Sequence, residues 1–274
     1  MKKIFIAYAD KKMYYSLQRI GIQARSLNFF DEIILWTSDD LPDYIKKSPL
    51  MQYAYGGGYW AWKPCIIYET LQRYTDDSIV CYVDAGCTLN PGVEWILYYE
   101  LMKTNDFLCF QYRDEMPEWA KFGNQSTKIK YWTKKEAILF YDNWVGDTDW
   151  QEHNKIWGGC IWAKGKSNVY VKQWLNLVLD HPEIIMDPLS TDEQYPFFAR
   201  HKHDQSLLVA LTSKYREKCC ILPELSETCG EKVAIYASRI RAKNRKEYLV
   251  NRSKYHLRKI LGSTIVDLIK NKLK

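Results

Sequence analysis

Three stretches of the chain carry side chains that could do chemistry. In "SIVCYVDAGC" a run of mostly apolar residues ends on Asp84, putting a carboxylate where a buried strand would stop. A hard oxygen ligand there could hold Mg²⁺ or Mn²⁺ against a departing diphosphate. The second carboxylate of an Asp-x-Asp element is absent, because position 86 is Gly. A turn-capping Asp before Gly86 is the plainer alternative. In "YGGGYWAWKP", three glycines precede Trp60, Trp62 and Lys63. Free backbone N–H groups beside a cation at a helix start would suit a phosphate. Neither a Walker loop nor Gly-x-Gly-x-x-Gly is present, and a loop built only for packing is equally compatible. In "FFARHKHDQSLLVAL", Asp204 and Gln205 open a helical pattern whose Leu207, Leu208 and Leu211 face a core. Asp204 reads most simply as an N-cap, and His201 and His203 as surface or satisfied side chains rather than ligands.

These stretches need a scaffold, and the apolar spacing supplies one. "KIFIAYA" reads as a buried strand, "MYYSLQRIGIQARSLNF" as a helix with apolar positions 13, 17, 20, 24 and 27, and "EIILWTSDDLP" as a second strand. Strand–helix–strand predicts a right-handed crossover between parallel neighbours. "YWAWKPCIIYETLQRY" predicts a helix with Pro64 in its first turn. "SIVCYV" is then a third strand, with Asp84 at the carboxyl edge where open parallel sheets bind ligands. Further strands are expected in "DFLCFQY" and "KIWGGCIWAK". Helices are expected in "TKKEAILFYDN", "SNVYVKQWLNLVLD" and "HDQSLLVALTSKY", and an amphipathic one in "STIVDLIKNKLK".

Composition narrows the class. With 47% hydrophobic and 15% aromatic residues, 274 residues suit one large α/β domain with an appendage. Eleven Trp and 21 Tyr exceed what a core alone needs, and flat rings stack well on sugars and bases. The eight cysteines show no Cys-x-x-Cys and no zinc spacing, and they predict a reduced, cytoplasmic chain. The first apolar run is too short for a signal-peptide core, and no run approaches a bilayer span. Residues 239–274 hold twelve Lys and Arg against two acids, a net of +10, so the whole-chain +6 leaves −4 for residues 1–238. Nucleic-acid binding is not expected of a slightly acidic domain that shows no such motif. The basic tail is expected to meet anionic lipid headgroups.

"GYWAWKP", "YVDAGC", "WTKKEAILF", "WGGCIWAK…VKQWL" and "HKHDQSLL", in that order, resemble bacterial glycosyltransferases of capsule, O-antigen and lipooligosaccharide assembly. The resemblance covers most of residues 1–216. It implies a GT-A-like α/β domain over 1–238, with a mostly parallel Rossmann-like sheet flanked by helices, and a basic helical segment over 239–274. Donor contacts would fall on Ala7, Tyr8, Trp62, Lys63, Asp84, Ala85 and Gly86, with Asp84 and Lys63 at the cleft rim. Trp132, Lys134, Gly158 and Gly159 would meet the acceptor, and the two glycines would let a strand pass close under the substrates. Asp204 and Gln205 would lie beside the anomeric carbon as catalytic residues. A divalent metal, Mn²⁺ or Mg²⁺, would be held by Asp84. Gly86 stands in place of the principal ligating Asp, so that metal is expected to bind weakly. Arg239, Arg241, Lys243 and Arg245 form an alternative set of cations for the diphosphate.

The implied activity is transfer of a hexose, with retention, from a nucleotide sugar such as a UDP-sugar. The acceptor would be a growing cell-surface glycan or a lipid-linked acceptor at the inner face of the membrane. A nucleotidyltransferase on a similar sheet, or a sugar-nucleotide-binding scaffold in which Gly86 marks lost catalysis, are the alternatives.

Overall fold

"KIFIAYA" is buried at six of its seven positions and forms β1 (Lys3–Ala9). An uninterrupted buried strand needs cover on both faces, which places it inside a sheet rather than at its edge. Helix α1 (Tyr14–Ser26) supplies cover on one face by burying Leu17, Ile20, Gly21 and Ala24, the three-and-four spacing read from the sequence. β2 (Glu32–Thr37) follows, and β1 pairs parallel with it on one side. The computed structural model describes residues 1–114 and 126–261. The amphipathic pattern expected at 263–274 lies outside the described residues.

After a left-handed turn, α2 (Trp62–Gln72) leads to β3 (Ile79–Val83), buried at every position and parallel to β1 on its other side. The chain continues through β4 (Thr88–Leu89), α3 (Glu94–Thr104) and β5 (Phe107–Gln111). α4 (Lys135–Val145) and β6 (Ile156–Lys164) come next, then α5 (Val169–Asp180) and α6 (His203–Lys214). β7 (Cys219–Pro223), β8 (Ile235–Tyr236) and α7 (Arg245–Leu261) complete the described chain. α5 starts where expected, at Asn168, whose side chain accepts from Val171 N at 3.0 Å, a cap worth about 1 kcal/mol.

The main sheet has the order β2-β1-β3-β6-β5-β7. Only β6 runs against its neighbours; the β1–β2, β1–β3 and β5–β7 pairs are parallel. The expected mostly parallel α/β sheet is therefore present. Alternate residues feed two cores: Ile4, Ile6, Val80 and Tyr82 face the layer of α2, α4, α5 and α6, while Phe5, Ala7, Cys81 and Val83 face α1 and α3. From β1 the chain passes to β2 on one side and then back across to β3 on the other. The carboxyl ends of β1 and β3 thus flank a topological switch point, where a crevice opens. Because β6 is antiparallel, its first residues, Trp157 to Gly159, lie at that same edge.

The basic tail does not leave the domain at residue 239. Ile240 N donates to Gly86 O at 2.9 Å, and Ala242 N donates to Ser16 Oγ at 2.9 Å. Residues 239–242 are stitched onto the sheet edge, and α7 begins after them with Tyr248 packed on Tyr15 of α1, ring centroids 5.3 Å apart. Among the described residues, no helix is long and apolar enough to cross a membrane.

Candidate active site

Asp84 follows β3 directly. Its N–H donates to Gly159 O at 2.9 Å, and its carbonyl accepts Cys87 N at 2.9 Å, so Asp84–Cys87 is a turn anchored to β6. Arg19 braces that turn from behind, donating from Nη2 to Ala85 O and Cys87 O and from Nη1 to Thr88 Oγ1. The Asp84 side chain is 41% exposed, and its Oδ1 accepts the Tyr82 hydroxyl.

Lys63 sits in the first turn of α2 and is 2% exposed, so it is a buried residue and not the rim side chain that the sequence suggested. Its Nζ donates to Asp204 Oδ2 at 2.7 Å and to Gly158 O at 2.9 Å, and lies 3.8 Å from Asp84 Oδ1. Burial pulls its pKa down, but the Asp204 and Asp84 carboxylates outweigh burial and leave it above the ordinary lysine value. Asp204 accordingly is not the N-cap of α6. Lys202 occupies that position without a side-chain cap bond, and the Asp204 carboxylate turns inward to the ammonium.

Gly158 makes this contact possible. A Cβ there would meet Asp204 Oδ2 at 2.8 Å and Lys63 Nζ at 3.3 Å. At Gly159 a Cβ would strike the Trp157 ring at 2.3 Å. The close approach expected at these glycines is therefore made by the protein's own side chains.

Of the two readings of the glycine loop, the geometry favours the one built for packing. Gly56, Gly57, Gly58, Tyr59 and Trp60 all have positive φ, from 51° to 96°, a left-handed turn that glycine tolerates best. The N–H groups of residues 57–61 and of Lys63 are all bonded to backbone carbonyls of residues 54–60. Those six donors are not free to cradle a phosphate. The loop instead aims rings: Trp62 Nε1 donates to Gly56 O, and the Trp62 ring stacks on Tyr8 with centroids 4.0 Å apart.

Together these residues line a cleft of about 460 Å³. Of the expected donor residues, Tyr8, Trp62, Lys63, Asp84, Ala85 and Gly86 line it, as do Gly158, Gly159, Asp204 and Gln205. Ala7 does not: it is fully buried in the α1 face, because its neighbour Tyr8 takes the opposite side of the strand. Trp132 and Lys134 do not line it either. The Trp132 indole donates to Ser126 O at 2.8 Å under the Lys155 ammonium, and Lys134 is buried with its N–H on His201 Nδ1. His201 also donates from Nε2 to Ile184 O, so both its nitrogens are used, and burial holds its pKa well below the ordinary value. His203 reaches the cleft wall among Tyr55, Tyr59 and Trp60, with Nδ1 on Ile185 O at 2.8 Å. Gln205 Oε1 is buried with no hydrogen-bond partner.

Sequence reasoning missed Tyr82, Trp157, Arg200, Lys202 and Glu227, which also line the cleft. The basic run "ARHKHD" just before Asp204 was the available signal for Arg200 and Lys202. Arg239 and Arg241, two of the four cations offered for a diphosphate, line the cleft.

The expected divalent metal does not fit this set. Among the described residues no three His, Cys, Asp or Glu side chains gather as a metal site. Of the three lining carboxylates, Asp204 is held by Lys63, and Glu227 binds Arg239 at 2.9 Å and the Tyr112 hydroxyl at 2.9 Å. Only Asp84 remains, with an ammonium 3.8 Å away. Five cations, Lys63, Arg200, Lys202, Arg239 and Arg241, face those three carboxylates, a net of +2 that repels M²⁺ and attracts an anion.

No family model matches the chain, and no curated protein matches it. Mouse xyloside xylosyltransferase 1 overlaps it at 9% identity, over 81% of this chain and 85% of that one, with a TM-score of 0.43. Galactosyltransferase LgtC, in complex with donor and acceptor sugar analogs, does so at 12% identity over 80% and 72%, with a TM-score of 0.35. The 4-diphosphocytidyl-2C-methyl-D-erythritol synthase from Anaerococcus prevotii overlaps at 12% identity over 93% and 98%, with a TM-score of 0.42. Overlaps this loose carry no argument about the chemistry of this chain.

Proposed function

We propose that the protein is a glycosyltransferase that moves a hexose from a nucleotide sugar, a UDP-sugar in the first instance, to a cell-surface glycan or lipid-linked acceptor. The observation that carries this is the Lys63–Asp204–Asp84 cluster at the carboxyl edge of β3, set in a net-positive cleft with a stacked Tyr8–Trp62 pair. Each part meets a need of such a donor. Rings suit a base or a sugar face, the exposed Asp84 oxygens accept hydroxyl protons, and the cationic wall suits a diphosphate.

The Asp204 carboxylate, buried and ion-paired at 2.7 Å, is a poor nucleophile and serves as an anchor for the start of α6. Gln205 follows on the cleft side, and its carboxamide is the group that would lie beside the anomeric carbon. An amide there can orient the reacting centre without forming a bond to it, consistent with retention.

Residues beyond Ala242 are assigned to peripheral contact with an anionic membrane on the cytoplasmic side. Lys243, Arg245, Lys246 and Arg252 are exposed. Each basic side chain near such a surface contributes about 1 kcal/mol.

A thermal-shift screen of nucleotide sugars tests the donor class. A donor at 100 times its Kd adds about 2.7 kcal/mol, roughly 5–10 °C for a domain of this size. If no nucleotide sugar raises the melting temperature, the proposal is wrong.

A further inference from the structure

We propose that Arg239 and Arg241 bind the donor's diphosphate and stabilise it as it leaves, in the place where a two-carboxylate site would use a divalent metal. This rests on the transferase reading above for the identity of the ligand. It goes beyond that reading by assigning the leaving-group site to the segment that closes the domain.

Hydrogen bonds on both sides fix the placement. Gly86 O accepts Ile240 N at 2.9 Å and Ser238 Oγ at 3.0 Å, which pins the segment to the Asp84–Cys87 turn. On the far side Ser16 Oγ donates to Ile240 O at 2.9 Å and accepts Ala242 N at 2.9 Å. With Ile240 fixed between them, Arg239 and Arg241 both reach the cleft. Arg239 holds φ at +52°, which a non-glycine residue adopts at a cost of about 1–2 kcal/mol. Its Nη2 is oriented by Glu227, itself held by the Tyr112 hydroxyl, while the side chain stays 66% exposed.

Position 86 explains why this site excludes a metal. A Cβ added there would point at the Arg239–Ile240 backbone, with Ile240 O at 3.5 Å and the Arg239 Cα at 3.7 Å. Those are ordinary contacts, and Gly86 is not among the glycines with positive φ, so neither space nor backbone demands glycine. A carboxylate at 86 would instead lie against Arg239 and cancel the charge offered to the diphosphate. Glycine keeps the guanidinium for the ligand. In the reaction, the bond from the anomeric carbon to the diphosphate oxygen breaks and its electron pair goes to that oxygen. The acceptor hydroxyl oxygen bonds the carbon, and its proton ends on the departing phosphate. A planar guanidinium pair can meet the added charge bidentately.

The test is calorimetric titration of UDP, GDP, CDP and ADP into the full chain, in excess EDTA and again with Mn²⁺. At least one diphosphate should bind in EDTA. Arg241→Ala and Arg239→Gly should each weaken it tenfold or more, and the pair should weaken it further. Glycine suits the left-handed backbone at 239, so that variant should fold, and Arg239→Lys gives a second one that keeps the charge but loses the fork. The surface control Lys47→Ala, at a side chain 78% exposed, should bind as wild type. Gly86→Asp should weaken binding in EDTA and make it rise with Mn²⁺. Binding only with Mn²⁺ would overturn the proposal and leave the transferase reading standing. Unchanged affinity in a folded double variant would overturn it in the same way. No binding in either condition would overturn both.

Discussion

The Lys63 ammonium lies 2.7 Å from Asp204 Oδ2, although 141 positions separate the two residues in the chain. This pair fastens the start of α2 to the start of α6 beneath the cleft. Removing one partner leaves the other charge largely buried and unpaired. Lys63→Ala should therefore cost about 3–5 kcal/mol in urea unfolding as well as activity. Asp84→Ala, at an exposed side chain, should abolish activity with stability changed by less than about 1 kcal/mol. An apolar pair, Lys63→Met with Asp204→Leu, should recover much of the lost stability and none of the activity.

Gly158 tests the same contact from below. A methyl at 158 presses on Asp204 Oδ2 and Lys63 Nζ, so Gly158→Ala should cost about 1–3 kcal/mol by overpacking and lower turnover sharply. Wild-type stability and rate in this variant would show that the pair is not tightly held.

Much of this was legible in the sequence, and its limits are physical. β1, α1, β2, α2 and β3 follow from apolar spacing because each buries its own face. Strand direction leaves no such trace, so the reversal of β6 was not readable from "KIWGGCIWAK". β7 has no fully buried residue and no alternation, and α3 buries only Trp95, Tyr98 and Met102, so neither announced itself. The partners of Lys63 and the return of Arg239 to Gly86 join distant parts of the chain, which residue spacing does not encode. "GGGYW" left two readings open because a phosphate loop and a left-handed turn use the same glycines; only the hydrogen bonds tell them apart.

Glu224 gives a pH signature. It is fully buried, and burial pushes its pKa from 4.5 up to about 7. The folded state then binds the proton more tightly than the unfolded state. Its contribution is full below about pH 4.5, fades as pH rises toward 7, and is constant beyond. Relative to Glu224→Gln, the wild type should lose on the order of 1–3 kcal/mol across that window. Parallel stability curves for the two proteins would contradict the burial argument.

The basic segment makes a separate prediction. Removing residues 250–274 spares the stitched stretch 239–242 apart from the Asn251 Nδ2 bond to Arg241 O, and should release the protein from anionic vesicles while leaving nucleotide-sugar hydrolysis largely unchanged. Binding of the full chain should also fall steeply with salt, since screening acts over about 8 Å at physiological ionic strength. No vesicle binding by the intact protein would end the membrane assignment.

The most direct measurement is the nucleotide released when purified protein is incubated with UDP-hexoses, resolved by anion-exchange chromatography. Sugar transfer predicts nucleoside diphosphate as product, formed in excess EDTA, and none from Asp84→Ala. Release of hexose 1-phosphate would instead indicate nucleotidyl transfer, and no turnover of any nucleotide sugar would indicate a binding scaffold; either would contradict the assignment of sugar transfer to the Lys63–Asp204–Asp84 cleft.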